Sequence, residues 1–424
     1  MSGKRHVTTF MAAAVLASLV LALVFATLPG RAGAESPQGA ESAGAPQPAT
    51  SEGLESPPPS DDRLIVGYKE DVNEAEKGKV KKKAKVKEKR SFDEIDADVV
   101  TFEGSVKEKK KALEKQPDVE YVERDYVATA AYSPNDPQLR KKRQYEIYQQ
   151  GFDKAWDKTR GVDRRTGKGI KVAVIDTGCD RRHPDLNSKI VKSYDFANRD
   201  RYADDDTGHG TFVAGIIGAE TNNRSGMAAA GFRARILCAK ASNNNLMYYS
   251  DAIAALRWSK KNGARVVNIS FAHNQYSQAY NDMARELWNS GINIVAAAGN
   301  TGGYERAMYP AAFYGVTGVS AVDVSDRRWR YSSYGPYVDL SAMGVNVRST
   351  TAGGGYGDWS GTSFASPTVA AQFALIKARY NPGLNARGSN FTRNRAQKTA
   401  RDLGPGGRDN AYGFGRIRAG ASVR

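Results

Sequence analysis

The order of apolar and polar positions divides the chain into four stretches. The first holds an apolar run from Phe10 to Leu28, preceded by Lys4 and Arg5. A basic start, an apolar middle and the small residues Ala32-Gly33-Ala34 match a cleaved secretory signal over 1–34, a run of this length being also compatible with a membrane anchor. Residues 35–60 are rich in Pro, Ser, Glu, Gly and Ala. They lack the large apolar side chains that offset the entropy of ordering, and read as a disordered linker. From 61 to 131, strand-like runs at Leu64–Tyr68, Asp98–Phe102 and the alternating Val119–Glu123 frame two helix-compatible stretches, charged Lys77–Arg90 and amphipathic Val106–Gln116. That pattern predicts a small α+β module.

From 132 to 424 short β-branched runs alternate with helical periodicity. Strands are expected at Lys171–Ile175, Ile236–Lys240, Val266–Ile269, Ile292–Ala297 and Val316–Val319, and helices at Thr211–Glu220, Asp251–Asn262, Gln278–Ser290 and Ser363–Arg379. Such alternation implies β-α-β units, hence a doubly wound α/β fold whose parallel sheet is covered by helices. In sheets of this kind functional residues gather at the carboxyl ends of the strands. No internal repeat is present.

Composition narrows the class. A hydrophobic content of 40% and an aromatic content of 9% suit a globular protein with a substantial core. The net charge is +16, and its excess sits in 132–424, where 42 Lys and Arg face 24 Asp and Glu; residues 61–131 hold 17 against 18. The positive side chains are scattered in short clusters such as Arg327-Arg328 and Lys260-Lys261, so no nucleic-acid partner is expected. Cys179 and Cys238 have no metal or redox spacing; two buried thiols are expected, a single disulfide being the alternative.

Four polar residues stand where chemistry is expected. Asp176 directly follows the apolar run Val172-Ala173-Val174-Ile175, at the end of a strand, although an Asp there is often only a turn residue. His209 lies between Gly208 and Gly210 at a helix start, where glycines let backbone and substrate approach an imidazole. Ser363 opens a long apolar helix whose unpaired N–H groups suit a developing oxyanion, although a Ser at that place is commonly a cap. Asn300 ends Ile294–Gly299, where an amide can donate to a tetrahedral intermediate. Together these are a hydroxyl nucleophile, an imidazole base and an orienting carboxylate, in the chain order Asp, His, Ser. An α/β-hydrolase would run Ser, Asp, His, with Gly where this chain has Ala365.

The segments VAVIDTG, HPDL, GHGTFVAG, IVAAAGN and SGTSFASP resemble the subtilisin-like peptidases, or subtilases, and SPNDP with TNNRSGMA resembles the thermitase-like subgroup. LIVGYK and DVEYVE resemble the inhibitor-like propeptide of that family. The resemblance implies a secreted serine endopeptidase made as a precursor and acting through an acyl-enzyme, with Asp176, His209 and Ser363 as the triad and Asn300 at the oxyanion. It implies that Ser270, Phe271 and Ala272 line one side of the first substrate pocket and Ala297, Ala298 and Gly299 the other. An inert binding protein on the same fold is the alternative. The chain departs from the family pattern at Phe271-Ala272-His273, where Leu-Gly-Gly is common, and at Thr368, Phe212-Val213 and Asn243–Asn245. A methyl at Ala272 implies small or slim P1 residues.

The resemblance further implies structural calcium. One site would use Asp136, Asp185 and Asn223, with carbonyls of Glu220, Ser225 and Met227; a second would use Asp195, Asp200 and Asp204, with the Tyr202 carbonyl, Asp204 standing where Gln is usual. Oxygen-only ligation suits Ca²⁺. The reading is completed by a domain plan of signal 1–34, linker 35–60, propeptide 61–131 and peptidase 132–424. Self-cleavage is expected between Ala131 and Tyr132, and the propeptide acts as chaperone and inhibitor of an extracellular monomer without a permanent membrane anchor.

Overall fold

A computed structural model describes residues 62–126 and 133–424. The signal 1–34, the linker 35–60 and the expected cleavage point after Ala131 lie outside the described residues. The chain divides into two compact units, with the division between Ala128 and Thr129.

The first unit is an antiparallel four-stranded sheet with two helices: β1 Arg63–Tyr68, α1 Glu74–Ala84, β2 Lys87–Phe92, β3 Ala97–Thr101, α2 Val106–Glu114 and β4 Val119–Arg124. The strand order is β2-β3-β1-β4. Leu64, Val66, Val80, Ala84, Val100, Leu113 and Val122 form its core. One expectation is corrected here. The stretch Lys77–Arg90 is not one helix: the chain leaves α1 at Lys85, whose φ is 54°, and continues as β2. Strand β2 is an exposed edge with four outward charged residues, so its lysines hide the strand pattern. Within α1 the apolar face is completed by lysine stems. Lys77 is buried and pairs with Glu74 and Asp96, while Lys81 reaches the buried Asp98 at 2.7 Å.

The second unit is built on seven parallel strands, with element ranges β5 Lys171–Asp176, β6 Ile190–Asp195, α3 His209–Gly218, β7 Arg235–Lys240, α4 Tyr249–Lys261, β8 Val266–Ile269, α5 Gln278–Asn289, β9 Asn293–Ala297, β10 Val316–Val322 and β11 Val338–Met343. A hairpin, β12 Val347–Thr351 and β13 Gly355–Trp359, precedes α6 Thr362–Tyr380 and α7 Ala386–Lys398. The order β11-β10-β9-β8-β5-β7-β6 places β5 beside both β7 and β8, the point at which the chain changes direction across the sheet.

Side-chain alternation shows why the sheet needs two helical layers. Val172 and Val174 of β5 and Ile236 and Cys238 of β7 join α3 and α6 in one core. Ala173, Ile175, Leu237 and Ala239 join α4 and α5 in a second core on the opposite face. A strand buried on both faces reads as a continuous apolar run, which is the pattern that marks β5 in the sequence. Strands β6, β11, β12 and β13 and helix α7 were not expected. Polar residues interrupt the strands, as in Ser193 and Asp195 of β6, and α7 holds six Arg, Lys and Asn side chains among its few apolar positions. Cys179 and Cys238 are joined as a disulfide, with Cα atoms 6.3 Å apart, in place of the expected thiols. The bond ties the segment after β5 to β7. Among the described residues no helix is long and apolar enough to cross a membrane.

Helix α6 is buried around almost its whole circumference, including Lys377, which is 1% exposed and donates from Nζ to the Gly291 carbonyl at 3.0 Å. Burial, with Arg165 adding repulsion, pushes this ammonium down from 10.5 to about 7. The folded chain therefore binds this proton more weakly than the unfolded chain, and stability rises with pH between about 7 and 10.5. In the Ser363→Ala background, Lys377→Met should remove that rise, on the order of a few kcal/mol. Denaturant midpoints taken across the window read it, and parallel profiles for the two proteins would contradict it.

Candidate active site

Three strand ends and one helix start meet at the change of direction in the sheet. Strand β5 delivers Asp176, the turn after β8 delivers Ser270, the turn after β9 delivers Asn300, and the first turn of α6 delivers Ser363.

Asp176 is fully buried, and its Oδ1 lies 2.7 Å from Nδ1 of His209. The same oxygen accepts from Thr177 N at 2.8 Å. The glycine after His209 is required for this approach. A Cβ on Gly210 would sit 2.1 Å from the Gly178 carbonyl oxygen and 3.1 Å from Cβ of Asp176, so a larger residue would drive α3 off the strand end. Burial of the ring is the largest influence on His209 and opposes its charged form. The charge and hydrogen bond of Asp176, with the charge of Asp205, outweigh it and hold the imidazole above its ordinary value.

Ser363 is 8% exposed, and its Oγ donates to the Ser270 carbonyl at 3.1 Å. Ser270 answers with its own hydroxyl on the Ser363 carbonyl at 2.9 Å, so the strand end and the helix start are tied in both directions. The His209 ring lies 5.5 Å from the ring of Phe364 and 6.0 Å from that of Phe271, the neighbours of Ser363 and Ser270. Asn300 is fixed by a residue absent from the sequence reasoning. Thr362 donates to its Oδ1 from both N, at 3.0 Å, and Oγ1, at 2.8 Å. With Oδ1 occupied, Nδ2 is left to donate toward the cleft. The signal for Thr362 was its place beside Ser363 in the motif.

The residues expected to line the first pocket follow two neighbouring strands, β8 and β9. Ser270 is buried, and Phe271 and Ala272 are half-buried. Ala298 packs into the core on one face of the sheet, and Ala297 is buried beside it. Gly299 has φ +105°, and a Cβ there would meet Ser333 Oγ at 3.0 Å and Met308 Cε at 3.2 Å. Met308 and Ser333 thus close the space beyond Gly299, a contact that sequence distance concealed.

The two expected cation sites differ. Asp136 and Asp185 are each fully buried and are linked through one loop: Asn222 and Asn223 donate backbone N–H groups to Asp136, and the Asn223 amide and Met227 N–H donate to Asp185. Burial pushes Asp136 up to about 6 against those donors, and the Asp185 charge raises it further. Two carboxylates that repel in a buried place suit a hard cation, their oxygens being held here by N–H donors of the loop and by the Tyr356 hydroxyl. Glu220 donates its N–H to the Asp185 carbonyl, and Ser225 donates to the Asn223 amide oxygen, so both belong to this loop. The second set does not fit. Lys240 Nζ stands 3.8 Å from Asp195 and 2.6 Å from Asp206, Asp204 turns to Arg181, and Asp200 accepts from Tyr202 N. An ammonium already supplies the positive charge there. Among the described residues no group of three or more acidic, His or Cys side chains could hold a metal ion, at either set.

With this geometry in hand, the chain matches the model of the Subtilase family over residues 167–415 and that of the fervidolysin N-terminal prodomain over 45–125. It is 38% identical over 331 residues to the thermophilic serine proteinase of Bacillus sp. (strain AK1), covering 76% of this chain and 80% of the relative. It is 34% identical to thermitase of Thermoactinomyces vulgaris, covering 60% and 89%. Identity to subtilisin E of Bacillus subtilis (strain 168) is 33%, covering 85% and 90%. A solved protease of Pseudoalteromonas arctica PAMC 21717 is similar with a TM-score of 0.61 and 27% identity, covering 69% of this chain and 99% of that one.

The Asp176 contact makes a titration prediction. NMR of His209 in the Ser363→Ala protein should give a pKa above the ordinary value of about 6.5, and Asp176→Asn should lower it. The proton is bound more tightly in the folded state, so its stabilisation is present below the ordinary value and is lost as pH rises through the folded one. A His209 that titrates below 6.5, or fails to respond to Asp176→Asn, would contradict the assignment.

Proposed function

We propose, for a chain that belongs to the subtilase family and is a serine endopeptidase with a prodomain, that Asp176, His209 and Ser363 form its catalytic triad. The observation that carries this reading is the 2.7 Å contact between buried Asp176 and His209 at the carboxyl end of β5, beside the start of α6. Ser363 exchanges its contact with the Ser270 carbonyl for one with His209 and attacks the scissile carbonyl. His209 takes the proton as general base and returns it to the leaving amine. Asp176 holds the tautomer and stabilises the imidazolium. The Asn300 amide and the Ser363 N–H carry the oxyanion, helped by the positive end of the α6 dipole.

Small P1 residues are the preferred substrates in this reading. The Ala272 methyl narrows one side of the cleft, and Met308 fills the space behind Gly299. Discrimination by shape alone is worth about 1–3 kcal/mol, so the preference is partial. Secretion is supported by the disulfide, which persists in oxidising compartments, and by relatives such as the minor extracellular protease Epr of Bacillus subtilis. The segment 61–131 acts as chaperone and inhibitor and is removed after Ala131. Calcium is held by Asp136, Asp185 and the Glu220–Met227 loop.

Two outcomes test this reading. Ser363→Ala should lower turnover roughly 10⁴-fold or more and leave the precursor uncleaved, while the unaltered enzyme cuts a denatured protein mixture mainly after Ala and other slim residues, read by mass spectrometry. Retained processing, or strong preference for Phe or Tyr, would count against it. A chelator should lower the melting temperature, because an ion bound only by the folded state stabilises it, and Asp185→Ala should abolish that response. Equal melting temperatures with calcium and with chelator would exclude the cation.

A further inference from the structure

The acidic loop before α3 is tied to the strand end more densely than the triad requires. Asp205 lies four residues before His209. Its Oδ1 accepts from Thr177 Oγ1 at 2.7 Å, Thr207 N at 3.1 Å and Gly208 N at 3.0 Å. Its Oδ2 accepts from Thr211 N at 2.7 Å and Thr211 Oγ1 at 2.6 Å. One carboxylate therefore satisfies three otherwise unpaired N–H groups around the first turn of the helix that carries His209. The α3 cap residue, Gly208, has no side chain to do so.

The Thr177 hydroxyl links this carboxylate to the triad. It accepts from Gly210 N at 2.9 Å, which holds the residue after His209 against the strand end. It also lies 3.3 Å from Asp176 Oδ1. A hydroxyl has one proton to donate, and the shorter contact gives it to Asp205. The oxygen of Asp176 that faces His209 thus keeps the Thr177 N–H, at 2.8 Å, without also taking the hydroxyl proton.

We propose that Asp205 is a positioning residue for the reaction: it fixes the first turn of α3, and with it His209, and it draws the Thr177 hydroxyl proton away from Asp176. It touches no substrate. The charged groups that face His209 are Asp176, from the end of β5, and Asp205, from the loop before α3; β8 and α6 present the uncharged rings of Phe271 and Phe364. Lys240, opposite Asp176 on β7, is engaged by Asp206.

The test is the pH profile of kcat/KM on an uncharged chromogenic peptide, with kcat and KM resolved, for processed enzymes carrying Asp205→Asn, Asp205→Ala, Thr177→Val or Thr177→Ser. Removing a negative charge that faces His209 should move the acid limb of Asp205→Asn to lower pH, with kcat about tenfold down and KM within about twofold. Thr177→Val should lower kcat, and Thr177→Ser, which keeps the hydroxyl, should restore it. Should Asp205→Ala not fold, the Asn, Val and Ser variants carry the test. An unmoved acid limb in Asp205→Asn, or a loss confined to KM, overturns the inference. It rests on the triad reading, and the two fail separately: activity retained by Ser363→Ala sinks the triad, whereas an unmoved limb with Ser363→Ala inactive sinks only the role of Asp205.

Discussion

A fully buried carboxylate is tolerable only when donors reach it, and those of Asp176 converge on one oxygen: Oδ1 accepts from the Thr177 N–H and faces Nδ1 of His209, while Oδ2 has no hydrogen-bond partner among the described protein atoms. Thr177 supplies a backbone N–H, α3 supplies His209, and the β5 strand supplies the position. Gly210 permits the helix to come within contact of the strand end. The disulfide from Cys179 to Cys238 anchors the segment that follows. The paired hydrogen bonds between Ser270 and Ser363 do the same on the other side of the cleft, joining β8 to α6. Asp176, His209 and Ser363 stand on regular elements, and Ser270 and Asn300 follow directly on strands buried on both faces.

Much of this was legible in the sequence, for an identifiable reason. Strands buried on both faces, such as Val172–Ile175, leave an unbroken apolar run, and the polar residue that ends the run is visible by contrast. The same contrast marks Asn300 after Ile294–Gly299 and Ser363 before the apolar α6. Elements that face solvent lacked it. Strand β2, with its lysines at an exposed edge, read as helix, and β6 and α7 were invisible because polar side chains cover them. Tertiary polar contacts were equally hidden. Thr362 on Asn300, Met308 behind Gly299 and Asp205 on Thr177 join residues 62, 9 and 28 positions apart, and no local pattern encodes such pairs.

The acidic positions show how the same residue type divides by surroundings. Asp136 and Asp185 are buried beside one another without a facing ammonium and suit a cation. Asp195 and Asp206 have Lys240, so the acidic loop there is already neutralised within the chain. The resemblance offered both groups as cation sites, with only Asp204 out of pattern in the second, because Lys240 lies more than thirty residues further along. The basic excess of the second unit needs no polyanion to explain it. Many of its arginines lie over aromatic rings, as Arg393 does on Trp288 and Arg328 on Tyr334, or pair with acids, as Arg416 does with Asp326.

The central claim is that one hydroxyl, Ser363, is made nucleophilic by the Asp176–His209 pair. A fluorophosphonate probe measures this directly, since it forms a covalent bond only with an activated serine. The account predicts one equivalent bound per processed molecule, mapped by peptide mass spectrometry to Ser363, with labelling lost on denaturation and strongly slowed in Asp176→Asn. Labelling at another serine, or none in a folded protein, would contradict it.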